Sequence, residues 1–375
     1  MSSKTPLLAA ALTAALMSTA FVSGAHAETA EHSRTPFVYK STNLVADTAG
    51  IAATTDPSLI DPWGLAFQPG GAFWINDRGA GVATLYDGTG KKVPATFTVP
   101  NVAKPNAPSS PTGLVWNSSS GFLVPGTQLT SVFLFATLEG SIAAWAPKLP
   151  VAPTVAVTAV DNSKTGAVYT ALELGVSAQG TFLYAANVNS GQIDVFDTKF
   201  QPAGAKLPGH FSDPAIPAGF VPFGIHAVDG NLAVTYARQN AQKNFIVPGA
   251  GAGFVDIFDT DGTLVQRLAS RGPLNAPWGV TRAPAGFGGP SGEILVGNFG
   301  DGHILSYDED GDSIHALLDQ RRQQIVIPGL WSLHFGGGAV SDPRTLFFTA
   351  GIGQGTHGLF GALTPIDPFE FVSNN

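Results

Sequence analysis

Asp61-Pro62-Trp63-Gly64-Leu65 is the phrase on which the fold turns, because the chain repeats it. It returns as Ser110-Pro111-Thr112-Gly113-Leu114, as Val221-Pro222-Phe223-Gly224-Ile225 and as Ala276-Pro277-Trp278-Gly279-Val280. A looser copy is Pro328-Gly329-Leu330-Trp331, and a degraded one lies at residues 171–175. A short apolar run follows each opening, at residues 73–75, 132–136, 182–186, 232–235, 294–296 and 346–349. After a Gly-containing turn, a further strand ends in an aromatic residue: Tyr86, Trp145, Phe196, Phe258 or Tyr307. Several units then enter an Asp/Gly turn, such as Asp87-Gly88 or Asp259-Thr260-Asp261-Gly262, of the kind that accepts positive φ and reverses a hairpin. A final strand is expected to complete each unit.

A four-stranded antiparallel unit cannot bury both of its faces alone. Radial packing of six such units buries them, which predicts an all-β, six-bladed propeller. A β-sandwich and an open β-solenoid are the alternatives. The units exceed the usual length of about 40–50 residues. The excess falls in Pro/Gly-rich insertions at residues 98–111, 146–153, 201–220 and 240–253. The last unit supplies only three strands, ending at residues 358–364, while one unassigned strand, residues 37–45, stands at the start. Paired as the outer strand of the last blade, it would close the ring.

Lys4, an uncharged Ala/Leu-rich stretch over residues 5–25 and Ala25-His26-Ala27 read as a signal peptide cleaved before Glu28. The expected organisation is a signal at residues 1–27 and one propeller domain at 28–375. The product would be secreted or periplasmic, monomeric and without a membrane span. Removing the signal takes away one Lys and moves the formal charge from −8 to −9. That balance argues against nucleic acid as a partner, which requires clustered cations. The absence of Cys excludes disulfides and thiolate metal sites, so stability must come from the core.

Further phrases are Asn43-Leu44-Val45 with Asp47-Thr48-Ala49-Gly50, Gly253-Phe254-Val255-Asp256-Ile257-Phe258-Asp259, Gly297-Asn298-Phe299-Gly300-Asp301-Gly302 and Leu346-Phe347-Phe348-Thr349-Ala350-Gly351. With the openings, they resemble a family of exported bacterial proteins, some of which carry a PEP-CTERM sorting tail. The resemblance spans nearly all of the mature chain and implies an NHL-like six-bladed fold. It carries no catalytic residue over. Residues 366–375 contain no Pro-Glu-Pro motif, apolar span or basic end, so release rather than surface sorting is expected.

In a propeller, inner strands start on the face where second strands turn into third strands. The repeat therefore maps two short segments of each unit onto one ring. From these segments the expected ligand-binding residues are Trp63, Asp77, Arg78, Phe223, His226, Trp278 and Trp331. The bland reading has the aromatics packing between blades and the Asp and Asn residues capping turns. Asp77, Asn187 and Asn298 occupy similar repeat positions, so their oxygens could converge on a Ca²⁺ ion from three blades. His303, His357 and Asp301 are the catalytic candidates beside it. Asp308, Asp310, Asp312 and Asp319 mimic EF-hand spacing, but Ser313 replaces the required Gly and the position is a repeat hairpin. No Gly-x-Ser-x-Gly elbow, His-Glu-x-x-His, Walker loop or dinucleotide fingerprint is present. Two functions follow. One is binding of a small molecule, glycan or exported protein segment on that face. The other is a metal-assisted hydrolase or lyase of lactonase or NHL-lyase type.

Overall fold

The structure is a computed structural model that describes residues 37–149, 153–312, 314–337 and 341–366. The expected signal peptide and the last nine residues lie outside them. Six small sheets form a ring, a six-bladed β-propeller. The inner strands are Pro62–Phe67, Pro111–Trp116, Tyr169–Ser177, Phe220–Val228, Pro277–Arg282 and Leu330–Phe335. Each begins at one copy of the opening phrase, including the degraded third copy.

Ring closure follows the sequence expectation. Strand Val38–Ala46 pairs antiparallel with Leu359–Ile366 as an outer strand of the sixth blade. Val45 and Ala46 are fully buried, and Tyr39 donates its hydroxyl to the Phe287 carbonyl at 2.9 Å. The first and last described strands are thus held in one sheet.

The third blade departs from the expected unit. Among the described residues it has three strands, Tyr169–Ser177, Gly180–Asn187 and Gln192–Asp197, and no fourth. Pro202, Pro208, Pro214 and Pro217 interrupt the segment where that strand would lie, and proline cannot donate to a ladder. Ala203, Leu207 and Phe211 from this segment are buried instead and cover the edge.

The glycine of the opening phrase has a specific cause. A Cβ on Gly64 would lie 2.4 Å from the Thr112 carbonyl oxygen of the next inner strand. On Gly113 it would meet Leu172 N at 2.2 Å, on Gly224 the Trp278 carbonyl oxygen at 2.2 Å, and on Gly279 the Trp331 carbonyl oxygen at 2.5 Å. Neighbouring inner strands therefore touch backbone to backbone around the axis, and a side chain there would push two blades apart. The register of every inner strand also shifts at this point, as at Pro62/Leu65 and Pro277/Val280. Where the copies differ, the contact changes character. Ala171 stands in the third blade, and Ser332 in the sixth accepts a hydrogen bond from Leu65 N.

Gly113→Ala tests this crowding without altering a positive-φ position. It should cost about 2 kcal/mol or more, as overpacking against backbone does. Gly204→Ala, with open space around its Cβ position, should change stability by less than about 0.5 kcal/mol. Urea unfolding midpoints of the two variants, compared with wild type, measure the difference.

Candidate functional site

The residue before this contact point in each inner strand points at the axis, and four of the six, Trp63, Phe223, Trp278 and Trp331, are aromatic. Trp63 and Trp331 stack with centroids 3.6 Å apart, and Trp278 meets them edge-on at 6.4 and 5.8 Å. Phe223 lies 5.9 Å from Trp331. Trp278 donates its indole N–H to the Thr170 carbonyl at 3.2 Å, from the fifth blade to the third. Contacts between non-adjacent blades are possible only across the channel, so these rings plug it. All four are buried, contributing about 2–3 kcal/mol each through apolar burial.

The plug leaves a mouth at either end. On the face where the inner strands begin, a cavity of about 650 Å³ is lined by Asp61, Trp63, Arg78, Phe245, Phe299 and Trp331, with Asn244 and Gln354 among its polar residues. Its floor is built around one carboxylate. Asp61 accepts from the indole N–H groups of Trp63 at 3.0 Å and Trp331 at 3.2 Å, and from Arg78 Nε. The Arg78 guanidinium also lies 6.0 Å from the centre of the Trp63 ring. Asp61 is 2% exposed and adopts φ +47°, a left-handed conformation that short polar residues tolerate. Glycine is obligatory at 351, because a Cβ there would fall 1.8 Å from Asp61 Oδ1.

Of the expected ligand-binding residues, Trp63, Arg78 and Trp331 line this mouth. Phe223 and Trp278 belong to the plug. Asp77 and His226 are corrections. Asp77 is fully buried inside the first blade, where its Oδ2 accepts from Thr84 Oγ1 at 2.7 Å. His226 stands three residues beyond Phe223, far enough along the strand to face the opposite mouth. Phe245 and Phe299 were missed by sequence reasoning. The insertion carrying Phe245 was visible, but not the direction in which it folds.

The expected Ca²⁺ ligands do not fit an ion. Asn187 Oδ1 accepts from Val168 N and Ser190 N, and Asn298 Oδ1 from Asn275 N. Their amide nitrogens go to Asp194 and to the Pro273 carbonyl. Asn187 caps its own turn and Asn298 ties down the loop at residues 273–275, while indole and phenyl rings occupy the axis. Among the described residues no three His, Asp or Glu side chains gather closely enough to hold a metal. The catalytic candidates sit on turns of the same face but outside the cavity lining. His303 Nδ1 lies 3.1 Å from Asp301, and His357 Nδ1 lies 2.8 Å from Asp47. The EF-hand mimic is a hairpin in which Asp308 accepts from Asp312 N at 2.8 Å.

Burial pushes the Asp77 carboxyl well above the usual carboxylate range. The Thr84 hydrogen bond opposes the shift, and the nearby Asp56 and Asp61 carboxylates add to it. A folded state that holds this proton loses stability as pH rises from the unfolded pKa toward the folded one. Asp77→Asn removes that loss. The stability gap between the variant and wild type should move in the variant's favour as pH rises above the ordinary carboxylate range. A gap independent of pH, measured by urea unfolding, would show Asp77 ionised in the folded protein.

No protein-family model matches the chain. Among solved structures, virginiamycin B lyase from Staphylococcus aureus superposes with a TM-score of 0.51 at 15% identity, covering 88% of this chain and 100% of that one. The PQQ-bound aldose sugar dehydrogenase from Streptomyces coelicolor gives 0.54 at 15% identity, covering 88% and 98%. Both likenesses concern the propeller fold. In sequence, the chain is 34% identical over 332 residues to the uncharacterised protein R648 of Acanthamoeba polyphaga mimivirus, covering 87% of this chain and 80% of the relative. It is 30% identical over 336 residues to the uncharacterised protein L690 of the same virus, covering 87% and 85%. On that similarity, the chain belongs to the family of R648 and L690.

Proposed function

We propose that this protein is an exported small-molecule-binding propeller whose ligand sits in the mouth floored by Asp61 and Arg78. The observation that carries the reading is the pairing of a buried carboxylate with a cation 31% exposed, under half-buried aromatic walls. Asp61 fixes Arg78 through Nε. The terminal nitrogens are then free to donate to a carboxylate or carbonyl of the ligand. Phe245 and Phe299 offer the flat apolar surface that a ring would cover. The ligand class is a planar, largely apolar molecule bearing an acidic or carbonyl group. Export rests on the leader-like stretch at residues 1–27.

A hydrolase or lyase reading has support at the level of fold, since the solved neighbours include a lyase and a dehydrogenase. For its metal-assisted form, no three His, Asp or Glu side chains among the described residues gather closely enough to hold the ion.

Three of the six Trp residues lie at the channel, so intrinsic fluorescence reports on the mouth. Titration with a naphthalene carboxylate should quench it saturably. Arg78→Met should weaken that binding about tenfold or more, as loss of a charged hydrogen bond does. Phe245→Ala should weaken it as well. Saturable quenching that Arg78→Met leaves unchanged would sink the proposal, as would none at all.

A further inference from the structure

The displaced His226 leads to the other end of the channel. A second cavity of about 370 Å³ opens there, and its titratable lining residues are Glu173, His226 and His334. The plug of Trp63, Trp278, Trp331 and Phe223 separates it from the mouth described above.

The donor and acceptor pattern of these three side chains is determined by their partners. His226 Nε2 lies 2.9 Å from the Trp278 carbonyl oxygen, and His334 Nδ1 lies 2.9 Å from the Phe335 carbonyl oxygen. A carbonyl only accepts, so each of these nitrogens carries the proton. His226 Nδ1 and His334 Nε2 are then left as lone-pair acceptors. Burial keeps both rings uncharged, pushing His226 down to about 4 and His334 down as well. Glu173 accepts backbone hydrogen bonds from Leu174 N at 2.9 Å and Ala227 N at 3.0 Å. Burial outweighs both and pushes its carboxyl up to about 7. Tyr184, opposite Glu173 on the next strand, turns its hydroxyl away to the Thr260 carbonyl. No Lys or Arg lines the cavity.

This mouth therefore presents a carboxylate and two imidazole lone pairs, and no Lys or Arg among the described residues lines it to meet them. Phe67, Trp116, Trp278 and neighbouring leucines supply apolar and aromatic walls. A bare metal ion is a poor match, because the three side chains are not grouped tightly enough to share one. An organic cation matches better: an ammonium head supplies up to three N–H donors, and its carbon body covers the rings. We propose that this second mouth is a separate binding site for a small primary ammonium compound, with Glu173 as its counter-ion and His226 and His334 as hydrogen-bond acceptors.

Benzylamine is the probe, with benzyl alcohol as the uncharged analogue of the same shape. Calorimetry on the full protein should show benzylamine binding that strengthens as pH rises through about 7, where Glu173 ionises while the amine stays protonated. Glu173→Gln should lose about tenfold or more in affinity, and Arg78→Met should leave it unchanged. Imidazole NMR signals of the wild-type protein should shift at His226 and His334 and not at His303 or His357. That spectrum decides the matter even if Glu173→Gln fails to fold. Any of three outcomes overturns the proposal: no saturable binding, equal binding of benzyl alcohol, or shifts confined to the histidines of the first face.

Discussion

Six inner strands meet around one axis, and the space between neighbours is so small that four of them carry glycine at the contact point. That crowding organises the molecule. It sets the distance between blades, and it turns the residue before each contact point toward the axis. Trp63, Phe223, Trp278 and Trp331 take those places and fill the channel with rings. The two smaller residues at the same repeat position, Thr112 and Thr170, donate their hydroxyls to the Tyr169 and Phe223 carbonyls of the next inner strand. Closure by Val38–Ala46 holds this arrangement as a ring, so the crowding is borne by all six blades together.

A plugged channel has two mouths that need not share chemistry, and here they do not. One is built on an Asp–Arg pair beneath indoles. The other is built on a carboxyl and two imidazoles with no cation near. The loops that shape the first mouth come from turns between second and third strands, where insertions are tolerated at the rim. The second is shaped by the far ends of the inner strands, so its titratable side chains ride on paired strands rather than on loops. Glu173 and His226 are held by backbone groups of neighbouring blades, which keeps their orientation independent of any ligand.

Much of this was legible in the chain. The opening phrase located every inner strand, and even the degraded third copy marks one. The unpaired strand at the start matched the missing strand at the end, because a ring built from antiparallel units leaves one vacancy to fill. Arg78, Trp63 and Trp331, grouped on one face by the repeat, line one mouth. The fourth strand of the third blade was not foreseen as missing, although its prolines stood in the sequence. Asp77, Asn187 and Asn298 were read as partners because the repeat aligns them. Alignment along the repeat says nothing about whether an oxygen turns toward the axis or is taken up by neighbouring turns and strands.

Repetition by itself determined the number of blades, the position of the inner strands and the closure of the ring. These follow from a repeated hydrophobic pattern that radial packing buries on both faces of each unit, a property of the sequence alone. The tertiary structure decided which side chains meet. A residue's distance from the opening phrase sets the mouth it faces, and strands twist and bulge within that distance. His226 thus lies three residues past Phe223 yet faces the far mouth. Phe245, deep in an insertion, returns to stand near Trp63, because the rings already gathered at the axis offer it a surface to bury against.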